Sequence, residues 1–152
     1  MNSTTETSIS VDTNILFYSF DPRDVSKHEI AKRIMSFCLE RKAQIALQVL
    51  AEFHHASVRK NVVSPLQADA IVQDFMQRMP VIATTPGDLA TALDLRQRHG
   101  LQIFDCLILA VNNRSGCASF LSEDLQHNRK IGQITVLNPF LLTPSELDAL
   151  LA

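Results

Sequence analysis

Short apolar segments alternate with longer amphipathic stretches along this chain, and that alternation restricts it to an α/β architecture built on a parallel sheet. The strand candidates cover residues 9–11, 44–47, 81–83, 118–121 and 134–137. The first is the most polar of them. Ile9 and Val11 alternate with Ser8 and Ser10, and serine is a poor strand former. Between the strands, residues 26–41 read as an amphipathic helix burying Ile30, Ile34, Phe37 and Cys38, and residues 48–60 read as a second helix.

Three further helix starts share one signature. Ser64-Pro65 with Gln67, Thr85-Pro86 with Asp88, and Thr143-Pro144 with Glu146 each put a hydroxyl cap before a proline, with a side chain able to complete a capping box two positions later. They predict helices over residues 65–79, 86–99 and 144–152. Gly100 stops the middle one. Asp105 then opens an unbroken apolar run, Cys106 to Val111, which reads as a buried helix closing at Gly116. No internal repeat, low-complexity tract or linker interrupts the chain. The expectation is one domain over residues 1–152: a central, mostly parallel sheet of four to five short strands flanked by helices, with a polar tail at residues 1–7 and a C-terminal helix within residues 143–152.

Bulk properties narrow the function classes. A net charge of −2 and a pI near 6.2 argue against gripping nucleic acid by overall positive charge, and the basic pairs Arg59-Lys60, Arg96/Arg98 and Arg129-Lys130 read as solvated surface. Cys38, Cys106 and Cys117 lack metal spacing and read as reduced thiols. The N-terminus shows no signal peptide and no apolar run approaches a membrane span, so the expected location is the cytoplasm. The scattered glycines fit no phosphate-binding loop. His54-His55 diverge around a helix and read as packing or surface residues.

Four carboxylates carry the remaining chemistry: Asp12, Glu52, Asp105 and Asp124. Each sits at a strand end or beside an apolar helix face, and a parallel sheet could bring all four to the rim beyond its strand ends. Taken singly, each has a structural reading. Asp12 and Asp105 could cap the helices after them, Glu52 could pair with His55 or Arg59, and Asp124 or Glu123 could begin a polar loop. Taken together, they would repel, by about 4 kcal/mol for two carboxylates roughly 4 Å apart at an effective dielectric near 20. Such a cluster needs protons or a divalent cation, and oxygen-only ligation favours Mg²⁺ or Mn²⁺.

Four segments in register make a resemblance specific. Val11-Asp12-Thr13-Asn14, Gln48-Val49-Leu50-Ala51-Glu52-Phe53, Phe104-Asp105-Cys106-Leu107-Ile108-Leu109-Ala110 and Leu121-Ser122-Glu123-Asp124-Leu125 resemble, in order and spacing, the motifs of the PIN-domain family, and within it the VapC-type toxins. The resemblance spans residues 9 to about 139. It implies a metal-dependent ribonuclease with Asp12, Asp105, Glu52 and Asp124 as catalytic metal ligands for Mg²⁺ or Mn²⁺. It also implies supporting roles: Asn14 orienting Asp12, Ser122 as a hydroxyl at the rim, and Glu123 as a stand-in for Asp124. An antitoxin protein as partner and a homodimer through the helices are implied too, with the helix over 65–79 as one candidate surface. In such a site a cation activates water and stabilises charge on phosphate. The rival readings are a PIN-fold module that binds RNA or protein without cutting, and an α/β scaffold whose acids are only helix caps.

Overall fold

Strand and helix alternate through most of the computed structural model, which describes residues 8–152; the tail expected over residues 1–7 lies outside them. The order is β1 (Ile9–Val11), α1 (Thr13–Tyr18), α2 (Val25–Glu40), β2 (Ile45–Ala46), α3 (Leu47–Arg59), α4 (Pro65–Arg78), β3 (Val81–Ile82), α5 (Pro86–His99), α6 (Ile103–Arg114), β4 (Ser119–Leu121), β5 (Lys130–Ile131), β6 (Ile134–Leu137), a 3₁₀ turn (Pro139–Leu141) and α7 (Pro144–Leu150). The main sheet has four strands in the order β1-β4-β6-β5. β1, β4 and β6 are parallel, while β5 runs antiparallel to β6.

Two features depart from the expected sheet. β2 and β3 pair in parallel with each other as a separate two-stranded unit rather than joining the main sheet. β2 is cut to two residues because α3 starts directly at Leu47. The second departure is β5, a two-residue strand with no periodic signature in the sequence. It forms a hairpin with β6 across Gly132-Gln133, with Gly132 at φ 61°, a Gly-X turn that matches strand twist.

Helix ends follow local chemistry closely. Ser64, Thr85 and Thr143 each form the full reciprocal capping box. Gly100 takes the left-handed conformation (φ 66°) that ends α5. On α2 the buried stripe is Ala31, Ile34, Met35 and Cys38; Ile30 and Phe37, expected inside, are half-buried at its edge. α6 is the buried helix, with Cys106, Ile108, Leu109, Ala110 and Val111 all enclosed. Its start differs from expectation. The helix begins at Ile103 with Gln102 at the cap and no capping side-chain bond, so Asp105 is a first-turn residue and not the N-cap. All three cysteines are free and buried. Among the described residues no helix is long and apolar enough to cross a membrane.

α5 and α6 are locked end to end by a buried acid. Asp88 accepts from Thr85 N (2.9 Å) and from Arg114 Nε (2.8 Å) and Nη2 (2.9 Å), and Arg114 also donates to Ala83 O (2.8 Å). Arg114 holds the Asp88 carboxyl below its ordinary range. Asp88→Ala removes acceptors for three donors at once and is expected to lower unfolding free energy by about 2 kcal/mol. Replacing Arg78, whose pairing with Asp74 is exposed, should leave the urea midpoint nearly unchanged. Equal shifts in urea denaturation would reduce the Asp88 link to a surface interaction.

Candidate functional site

The register of β1 against β4 builds the site. Val11 stands opposite Leu121, and Asp12 N donates to Leu121 O (2.9 Å), so the next residues along, Asp12 and Ser122, emerge side by side at the carboxyl ends of the two strands. Asp12 is 4% exposed. Its Oδ1 accepts from Thr13 N (2.7 Å), which caps α1, and its Oδ2 accepts from the buried Ser122 hydroxyl (2.7 Å). Asp12 is thus a helix cap that also couples in charge to Asp105 and Asp124.

The other three acids arrive from different elements. Glu52, on α3, accepts from Thr13 Oγ1 at Oε2 (2.7 Å) and from Gln48 Nε2 at Oε1 (2.7 Å). Those bonds, and not a pairing with His55 or Arg59, engage its carboxylate. Asp105 stands in the first turn of α6, where the helix dipole favours an acid. No hydrogen bond or ion pair engages its carboxylate among the described residues. Asp124, just past β4, accepts from Asn14 Nδ2 (3.0 Å).

Asn14 departs from its expected role. Its amide reaches Asp124 and Ser122 Oγ (3.4 Å), and its Oδ1 accepts from Glu123 N (3.3 Å), so it fastens the β4 exit loop rather than Asp12. Asp12 is oriented by its strand neighbour Ser122 instead. Glu123 is also committed elsewhere. Its oxygens accept from Tyr18 OH (2.6 Å) and Lys27 Nζ (2.7 Å), and Lys27 sits over the Tyr18 and Phe140 rings. With a cation already neutralising it, Glu123 is a poor stand-in for Asp124.

Electrostatics separates these acids from the rest of the protein. Burial pushes the Asp12 carboxyl up to about 7, with Asp105 and Asp124 adding to the rise against the hydrogen bonds from Ser122 and Thr13. Asp105 is raised by burial and by Asp124 and Glu52. Asp21 and Asp88, also buried, each hold an arginine and are lowered instead. Among the described residues no basic side chain pairs with Asp12, Glu52, Asp105 or Asp124. Nor do any three carboxylate, imidazole or thiol groups of the described residues stand close enough to share a cation as they are. The acids are neighbours in charge, three of them (Asp12, Glu52 and Asp124) fixed by hydroxyl and amide donors.

Above them opens a cleft of about 610 Å³, with Thr13, Asn14, Glu52 and Asp124 in its walls. Phe104 and Lys60 also line it, and Lys60 Nζ lies 4.9 Å from the centre of the Phe17 ring. The Arg59-Lys60 pair, read from sequence as solvated surface, therefore supplies one cation to the cleft. Gln48 and Thr13 were not singled out in the sequence either. Gln48 had a legible signal, standing four residues before Glu52 on the same helix face. Thr13 had none.

With the carboxyl of Asp12 raised on folding, its neutral form is the one the native state favours. Stability from this group is therefore full below its unfolded value near 3.8 and is lost as pH rises toward about 7. In EDTA at pH 8, Asp12→Asn should melt above the wild type, by up to about 4 kcal/mol at 1.36 kcal/mol per pKa unit. The gap should close as pH falls toward 4. A gap that does not vary between pH 4 and 8 would contradict the buried, unpaired environment.

Comparison with known proteins agrees with this architecture. A profile of the PIN domain matches residues 9–132. A toxin–antitoxin complex from Klebsiella pneumoniae contains a chain of the same fold, with a TM-score of 0.64, 21% identity, and coverage of 87% of this chain and 98% of that one. VapC20 of Mycobacterium tuberculosis, a toxin that cleaves the sarcin–ricin loop, matches with a TM-score of 0.60, 20% identity, and coverage of 74% and 87%. The DNA-bound VapBC complex of Salmonella typhimurium gives 0.61, 17% identity, and coverage of 85% and 96%. No curated protein matches the chain in sequence. With the PIN profile spanning most of its length and the α/β fold to match, this chain belongs to the PIN-domain family.

Proposed function

We propose that this chain is a divalent-metal-dependent endoribonuclease and the toxin of a toxin–antitoxin pair, acting as one domain in the cytoplasm. The observation that carries the reading is the mutual charge coupling of four acids, Asp12 with Asp105 and Asp124, and Asp105 with Asp124 and Glu52, of which Glu52 and Asp124 line the cleft, with no basic partner among the described residues. All the donors are oxygens, and burial together with like charge raises Asp12 and Asp105. That donor set fits Mg²⁺ or Mn²⁺, with Asp12, Asp105, Glu52 and Asp124 as the residues that would hold it. A cation bound there supplies the positive charge and the acidified water that phosphodiester hydrolysis requires.

The chain's own residues do the positioning. Ser122 and Thr13 N hold Asp12, Thr13 Oγ1 and Gln48 hold Glu52, and Asn14 holds Asp124. Lys60, in the cleft wall, is placed to meet a substrate phosphate. The RNA substrate and the antitoxin are suggested by the relatives: one cleaves the sarcin–ricin loop, and others were solved as toxin–antitoxin or VapBC complexes. An antitoxin would cover the cleft, and a homodimer would use exposed helix faces such as Leu66 and Met76 of α4, which are 80% and 51% exposed. Three buried free thiols suit a reducing compartment.

The test is cleavage of a mixed RNA pool by purified chain with any bound partner stripped away. Cutting in Mg²⁺ or Mn²⁺, loss in EDTA, and a drop of at least about 100-fold in both Asp12→Asn and Asp105→Asn are expected, in the range seen when a key electrostatic group is removed. Activity unchanged in both variants would mean a contaminating nuclease. No cutting and no metal-induced rise in melting temperature would make the chain a PIN-fold binding module.

A further inference from the structure

Gln48 makes the hydrogen bond that, among those of the described residues, runs directly between α3 and α6. Its Nε2 donates both to Glu52 Oε1 (2.7 Å) and to the backbone oxygen of Phe104 (3.2 Å), the residue just before Asp105. Neither helix has a capping side-chain bond at its N-terminus to fix that end. The other end of the same amide is unsatisfied: Gln48 Oε1 is buried with no hydrogen-bond partner. An amide free to flip would turn that oxygen toward a donor. Here both partners of the NH₂ group are acceptors, a carboxylate and a carbonyl, so flipping would set oxygen against oxygen twice. The two bonds therefore hold the amide in one orientation at the cost of a buried, unpaired acceptor.

Glu52 is gripped from both sides as a result. Thr13 Oγ1 holds Oε2, and Gln48 holds Oε1. The Thr13 bond ties the carboxylate to the residue after Asp12, and the Gln48 bond ties it to the turn that carries Asp105. We propose that Gln48 is a positioning residue of the acidic site, locking the Glu52 carboxylate in one orientation against the first turn of α6. This rests on the metal-site reading above. Its role is exerted through Glu52, since its own oxygen is turned into the protein.

The test is a Mn²⁺ titration by calorimetry of the full chain, stripped of partner and metal, for wild type, Gln48→Met, Glu52→Gln and the double variant. Melting curves without metal accompany it. Methionine keeps the volume and removes the unpaired oxygen along with both donated bonds, effects of opposite sign, so the metal-free melting temperature should change little. Mn²⁺ affinity should drop by about tenfold, the low end for loss of a group that orients a metal ligand. In the Glu52→Gln background, adding Gln48→Met should cause no further loss, because the residue acts through Glu52. Equal weakening in both backgrounds, unchanged affinity, or a lower metal-free melting temperature with unchanged affinity would each overturn the positioning role while leaving the metal site standing. Wild type that binds no Mn²⁺ would remove the metal site and this inference together, whereas Glu52→Gln with full affinity would take Glu52 out of the site and overturn this inference alone.

Discussion

The pairing of β1 with β4, Val11 opposite Leu121, is the contact on which the acidic site depends. It places the Ser122 hydroxyl against Asp12 and delivers the β4 exit loop to Asn14. A slip of one residue would reverse every side chain on the strand and take Asp12 away from the Ser122 hydroxyl. The strands are only three residues long, so the ladder alone holds this register weakly. Helix packing supplies the rest: Ile9, Val11, Phe120 and Leu121 are all buried in the main core, with Ile15, Leu50, Phe53 and Ile108 of the helices in the same cluster.

Burying an acid is costly, and the protein meets that cost in two ways. Asp21 and Asp88 each receive a guanidinium, which makes them structural ion pairs. Asp12 and Glu52 receive neutral donors instead, from Ser122, Thr13 and Gln48. Neutral donors orient a carboxylate without cancelling its charge. The result is a patch of uncompensated negative charge that a cation can lower in energy, whereas an arginine at the same place would have filled it. Glu123, drawn off by Lys27, shows how close the two solutions lie in space.

Much of the fold was legible because its signals are local. A hydroxyl before proline caps a helix through bonds made within four residues, and Ser64, Thr85 and Thr143 all behaved as their sequence indicated. Asp105 did not. α6 begins two residues before it, at Ile103, so the acid is spared from capping. β5 escaped notice because two residues carry no periodicity; its partner strand and the Gly132 turn make it a strand. Asn14 was assigned to Asp12 by resemblance, yet its side chain crosses to the β4 loop, a contact 110 residues away along the chain.

The sequence by itself determined the residue types, the alternation of strands and helices and the capped helix starts at Ser64, Thr85 and Thr143, since those follow from short-range preferences and spacing. It also supplied the four acids and the register of motifs around them. Only the tertiary structure decided that Glu52 answers to Thr13, that Glu123 is neutralised by Lys27, and that Lys60 joins the cleft. The physical reason is distance along the chain. Glu123 pairs with a lysine 96 residues away and Thr13 donates to a glutamate 39 residues away, and which polar group meets which across such gaps is fixed only when the core closes.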